Sequence, residues 1–266
     1  MAAKTYTTIR YTVADGVATL TLARPEVFNA FNDTMSAEVH DALKQAAKDA
    51  GVRCVVITGE GKAFCAGQDL GSRSVADFDA TLHLGDSVRD RYNPIIQTIR
   101  TMEKPVVAAL NGVAAGAGCS IALACDLRLA STKASLVQAF VKIGAAPDSG
   151  ASFFLPRLVG LGRAAELLFL GDKLEAAEAE RWGLVNRTAE PEAFADLVDA
   201  FAKRLAAAPT RAIALAKRAL NRAMDTDLAS TLAHEAQMQE LAGRSVDYRE
   251  GVSAFLEKRP PQYVGR

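Results

Sequence analysis

The chain has 266 residues, 50% of them apolar, with 31 basic and 31 acidic side chains. That length and apolar content suffice for a substantial core without metals or disulfides. The even charge balance excludes a net field that steers the protein to nucleic acid or an anionic membrane, so an acidic ligand has to be held by a local cluster.

The N-terminus, MAAKTYTTIR, has no apolar stretch of signal-peptide length, and no uninterrupted apolar run approaches the roughly 20 residues of a membrane helix, so a cytoplasmic protein is expected. TIRYTVADGVATLTLARP alternates around Asp15-Gly16, a strong hairpin signal. Asn32 and Asp33 are suited to cap a helix of about 17 residues with Val39, Leu43, Ala46 and Ala47 on one face. VRCVVITG and PVVAALNG are near-continuous apolar runs, as in strands buried on both faces, and CDLRLAS is a weaker third case. The first two-thirds therefore predict an α/β fold of strand-strand-helix or strand-helix units around a mostly parallel core. Beyond about residue 160 only helices are expected, with a boundary near residue 200 between a core, 1–200, and a helical region, 201–266.

The four cysteines, Cys54, Cys65, Cys119 and Cys125, form no paired CxxC motif and read as reduced thiols. Cys65, expected in a loop, is the one candidate thiol nucleophile. His40, His83 and His234 lack metal-ligand spacing, and no metal site is expected.

Two glycine-rich stretches follow the apolar runs: GEGKAFCAGQDL at 59–70 and NGVAAGAGCSIALACD at 111–126. Carboxyl ends of strands are where α/β proteins place ligands. Each stretch alone also reads as a plain turn or a helix packed through small residues. Together they allow main-chain N–H groups of Ala66 and Ala117 to converge on one oxygen, an oxyanion hole for a carbonyl substrate. A third stretch, AAPDSGASFFLPRLVG, holds a single acid, Asp148, among small and apolar residues. It reads either as a helix N-cap or as a desolvated carboxylate with a raised pKa, suited to general-base chemistry; the two readings are compatible.

GKAFCAGQDL, NGVAAGAGCSIALACDLRLAS, FVKIGAAPDSGASFFLPRLVG and GRSVDYREGVSAFLEKRPPQY resemble the enoyl-CoA hydratase/isomerase (crotonase) superfamily along essentially the whole chain. The third and last segments most resemble its isomerases of aryl-epoxide CoA thioesters. The resemblance implies a crotonase-like spiral of ββα units, a homotrimer or dimer of trimers, and C-terminal helices covering the site. It implies an acyl-CoA thioester as substrate, with coenzyme A carried by the substrate and no other cofactor. The CoA and acyl surface would draw on Lys62, Phe64, Gly67, Gln68, Asp69, Leu70, Gly116, Ser120 and Phe140, with Phe255 and Lys258 near the CoA of a neighbouring subunit. Lys258 also reads as a solvated cation at a helix end.

Hydratases of this family use two glutamates; those positions hold Ser120 and Phe140 here. Water addition is therefore expected to be slow. The remaining carboxylate, Asp148, matches the catalytic aspartate of the family's isomerases, and one base suffices for a 1,3-proton shift. Ser120 also reads as a satisfied buried hydroxyl, and Phe140, Phe153 and Phe154 as acyl-pocket or plain core aromatics.

Overall fold

The computed structural model describes residues 5–71 and 84–266. His83 and the rest of residues 72–83 lie outside the described residues.

Strands β1 (Ile9–Ala14) and β2 (Val17–Leu22) form the expected hairpin, with Asp15 and Gly16 both in the left-handed region at φ 52° and 76°. Two successive positive φ values define the tight turn whose twist matches the strands. Helix α1 (Asp33–Lys48) starts where Asn32 Oδ1 accepts from Met35 N at 2.9 Å. β3 (Cys54–Gly59) and β4 (Ala63–Cys65) follow. A helical run then comprises α2 (Leu84–Ser87), a π-turn (Val88–Tyr92) and α3 (Asn93–Thr101). Next come β5 (Val106–Leu110), β6 (Val113–Ala115), α4 (Ala117–Ala124), β7 (Leu127–Ser131) and β8 (Ser135–Val137).

A 3₁₀ turn (Ala139–Ile143) leads to α5 (Ala151–Val159) and α6 (Leu161–Leu170). β9 (Lys173–Glu175), α7 (Ala176–Arg181) and β10 (Arg187–Ala189) correct the expectation of helices alone beyond 160. Three-residue edge strands carry too little apolar alternation to stand out against a helical pattern. The chain closes with α8 (Pro191–Ala207), α9 (Thr210–Ala223), α10 (Leu228–Gly243) and α11 (Val246–Glu257). Residue 200 falls inside α8, which packs on β2, β3, β7 and β10.

The fold is a coil of strand pairs. β3, β5 and β7 run parallel in a six-stranded sheet of order β1-β2-β3-β5-β7-β10, while β4, β6 and β8 run parallel in a second sheet of order β4-β6-β8-β9. Each long strand thus turns a corner into a short one before the next helical segment. Glycines make the corners possible: a Cβ on Gly112 would sit 2.0 Å from Lys62 O, and one on Gly59 2.2 Å from Ala63 O. Asn111 sews one coil to the next, accepting from Gly59 N at 3.1 Å and donating to Gly61 O at 3.0 Å and Ala63 O at 3.1 Å.

The central strands β3, β5 and β7 of the large sheet are buried on both faces, which explains their apolar runs. Val55 and Ile57 of β3 join the main core with α1 and α3, whereas Cys54 and Val56 face Phe194, Ala202 and Ala206 of α8. α9 is tied to this core by Lys217, whose Nζ donates to Ile99 O, Lys104 O and Asp126 Oδ2 at 2.7, 3.2 and 2.7 Å. Among the described residues no helix is long and apolar enough to cross a membrane.

Candidate active site

The parallel strands β4, β6 and β8 end on one edge of the small sheet, at Cys65, Ala115 and Val137. Their carboxyl ends deliver three segments to one place: Ala66–Gly67–Gln68, Gly116–Ala117, and Gln138 to Phe140. Such an edge is where this class of sheet presents its ligand-facing main chain. The first two segments touch. A Cβ on Gly67 would lie 2.9 Å from Ala115 O and 3.5 Å from Ala117 N, and Gly67 has φ +95°. Both the space and the backbone conformation require glycine there.

The structure corrects the role expected of Ala66. Its N–H donates to Phe28 O at 2.9 Å. Phe31 forms a parallel bridge with Gln68, donating to Gly67 O at 2.7 Å and accepting from Asp69 N at 2.9 Å. In that pattern the N–H of Gln68 itself points away from Phe31, and it has no acceptor among the described residues. The Ala117 N–H opens α4 and likewise has none; first-turn N–H groups lack intrahelical partners by construction. Gln68 and Ala117 are therefore open donors that flank the close contact between the two segments. The parallel bridge that decides this pairs residues 37 apart, so local sequence carries no signal of it.

The remaining residues of the first loop divide by surroundings. Phe64 is fully buried in the main core, so its side chain is no part of an exposed CoA surface, contrary to expectation. All three residues of β4 are buried, so the strand has no solvent-facing side on which the phenyl ring could lie. Lys62 is exposed and Leu70 is 48% exposed. The Gln68 side chain is a strut, with Nε2 donating to Phe31 O at 3.0 Å and Oε1 accepting from Tyr92 OH at 2.5 Å. Asp69 pairs with Arg24 at 2.9 Å and accepts from Gly71 N. Arg24 and Tyr92, which hold the loop from outside, carry no motif that sequence reading detects. Cys65 lies in β4 rather than a loop; it is buried, and burial pushes its thiol up to about 12, which removes it as a nucleophile.

In the second segment Gly116 adopts φ +50°, ψ −124°, and a Cβ there would meet nothing within 4 Å. Ser120 is fully buried, and its Oγ donates to Gly116 O at 3.2 Å, the satisfied-hydroxyl arrangement. Phe140 is buried in the third segment. Phe154 is core, packed edge-to-face on the half-exposed Phe153 at 5.2 Å, and the Arg157 guanidinium lies 3.7 Å over the Phe153 ring.

Asp148 sits in the turn leading into α5, which packs on α4. Ser149 and Gly150 both take left-handed φ, 52° and 83°, and a Cβ on Gly150 would come within 2.6 Å of the Phe154 ring. The tight turn lets the Asp148 carbonyl, not its side chain, accept from Ala151 N at 3.0 Å. The side-chain N-cap reading is thereby corrected: the helix cap is Gly150, without a side-chain bond. The half-buried carboxylate accepts from Ser149 Oγ at 2.8 Å through Oδ1. Burial pushes its pKa above the ordinary value, and the Ser149 bond opposes that in part.

Phe255 is 83% exposed on α11, and Lys258 terminates that helix in the left-handed conformation. Among the described residues no group of three or more His, Cys, Asp and Glu is arranged to hold a metal.

Residues 12–266 match the enoyl-CoA hydratase/isomerase family. The chain belongs to that family. It is 46% identical to the 1,2-epoxyphenylacetyl-CoA isomerase of Escherichia coli strain K12, over 96% of this chain and 97% of the relative. It is 44% identical to the probable enoyl-CoA hydratase of Rhodobacter capsulatus, over 98% and 99% of the two chains. The crystal structure of an enoyl-CoA hydratase/isomerase from Mycobacterium abscessus superposes with a TM-score of 0.92 at 41% identity, covering 97% of this chain and all of the other. The enoyl-CoA hydratase/isomerase match includes α9–α11, so the C-terminal helices are part of the family's own architecture. An acyl-CoA thioester is a substrate consistent with it.

Proposed function

We propose that this family member is an acyl-CoA thioester isomerase with Asp148 as its only acid/base group. The observation that carries the reading is the half-buried, hydrogen-bonded Asp148 carboxylate, together with Ser120 and Phe140 standing in the positions where the family's hydratases carry glutamates. One carboxylate removes a proton alpha to the thioester and returns it at another carbon, so atoms balance without a co-reactant. The enolate oxygen is received by the N–H groups of Gln68 and Ala117, each preorganised donor contributing about 3 kcal/mol to the developing charge. Hydration requires a second group to activate water, and neither Ser120, bonded to Gly116 O, nor Phe140 supplies one.

The substrate we assign is ring-1,2-epoxyphenylacetyl-CoA, rearranged to oxepin-CoA, with Δ3/Δ2-enoyl-CoA isomerisation as a second activity. Support comes from the Escherichia coli relative and from the aromatic residues Phe140 and Phe153 that flank Asp148 in the sequence. No cofactor beyond the CoA of the substrate is needed. The assembly we assign is a homotrimer or dimer of trimers in the cytoplasm, with the 201–266 region covering the site. Leu232, Val252, Phe255 and Leu256 leave an exposed apolar face on α10 and α11 that a second copy would cover, bringing Phe255 and Lys258 to its CoA.

Incubation with a panel of acyl-CoA thioesters in deuterated water tests this: the isomerase reading expects alpha-carbon exchange and rearrangement of the epoxide thioester. Efficient hydration of crotonyl-CoA would favour the hydratase reading suggested by the Rhodobacter relative. Tight acyl-CoA binding without exchange would identify a catalytically silent CoA-binding subunit.

A further inference from the structure

Gln138, the residue that follows β8, carries an unexplained feature. It is 2% exposed, and its amide Nε2 donates to Cys119 Sγ at 3.2 Å. Its Oε1 is buried with no partner among the described residues. An unpaired buried carbonyl oxygen is costly, and an apolar side chain of similar shape would avoid the cost. Packing alone therefore does not account for glutamine here.

Its position does. Cys119 is the third residue of α4, two beyond Ala117, and its Sγ accepts from Gln138. Val137 O accepts from Gly116 N at 2.9 Å. On the opposite side, Gly118 is pressed against β4: a Cβ there would come within 2.6 Å of Cys65 O and Cys65 Sγ. The first turn of α4 is thus wedged between Cys65 and Gln138. Any tilt of that turn moves the Ala117 N–H relative to the Gln68 N–H.

We propose that Gln138 is a positioning residue whose amide, clamped on Cys119, fixes the first turn of α4 and so aims the Ala117 N–H at the thioester oxygen. The proposal rests on the isomerase reading above. Misplacement of a catalytic group by a fraction of an ångström to 1 Å costs up to about 10²-fold in rate, so Gln138→Met should lower kcat about 10-fold or more with KM for the thioester changed less than about threefold. Because Met removes the orphaned oxygen, its melting temperature should stay level or rise. In a Cys119→Ala background, Gln138→Met should cause no further loss of kcat, since the clamp is already gone.

Three measurements on the full-length protein decide it: wild-type turnover on the thioester panel, kcat and KM of the single and double variants, and thermal melting of each. No wild-type turnover on any thioester sinks the isomerase reading itself. Wild-type turnover with an unimpaired Gln138→Met enzyme overturns only the positioning role, as do losses that add fully in the double variant. Should Gln138→Met fold poorly, the same comparison is made with Gln138→Leu; if both lose kcat only in proportion to lost folded protein, Gln138 is structural and the proposal is wrong.

Discussion

The Ser149 hydroxyl donates to Oδ1 of Asp148 at 2.8 Å, and it is the one side-chain hydrogen bond that carboxylate receives from the described residues. Burial raises the Asp148 pKa and the Ser149 bond lowers it. A base works when ionised, so activity should rise with pH through a value above the ordinary 3.8 of an aspartate. Ser149→Ala removes the opposing bond and should move the acid limb of kcat/KM to higher pH; a limb that stays put or moves down contradicts this account.

Asp148→Asn should reduce isomerase turnover by about 10²–10⁴-fold. The sign for stability is opposite. A carboxyl whose folded pKa is raised favours folding most below its unfolded value, and that contribution is lost as pH rises through the folded value. At neutral pH the ionised, half-buried Asp148 therefore costs stability, and Asp148→Asn should melt no lower than the parent. A clear drop in melting temperature at pH 7, with activity retained, would assign Asp148 to structure.

Gly67→Ala places a Cβ 2.9 Å from Ala115 O at a φ of +95°. The first loop must shift away from α4, separating the Gln68 and Ala117 donors. Loss of one main-chain donor is expected to lower kcat by about 10²-fold. Circular dichroism and melting should show a folded protein; unchanged kcat would mean that these two loops do not share the reacting oxygen.

Lys217 is 7% exposed, with its ammonium divided among two carbonyls and the Asp126 carboxylate. Lys217→Met leaves Asp126 without this buried partner and should destabilise by about 3 kcal/mol. Urea denaturation reads the change directly, and a loss below about 1 kcal/mol would show that the pair is screened by water.

Much of the architecture was legible in local chemistry. Asp15-Gly16 announced the hairpin, and the apolar runs of β3 and β5 announced strands buried on both faces. The short strands β4 and β6 were not, because they lie inside glycine-rich stretches that also read as turns, nor was β8, whose three residues are too few to show an alternation. Asp148 was visible as an acid in apolar surroundings, and its raised pKa follows from that neighbourhood. Its side-chain cap was misread because two successive left-handed residues, Ser149 and Gly150, hand the cap to the carbonyl. The choice between Ala66 and Gln68 depends on Phe28 and Phe31, a pairing made only by the tertiary fold.

Asn111 gives the coil a property that no individual layer has. Because one amide stitches Gly59 to the chain at Gly61 and Ala63, injury at this corner travels into the strand that ends beside Gly67. On the proposed reading, the aim of the Gln68 N–H thus rests partly on an asparagine outside the loop that carries it.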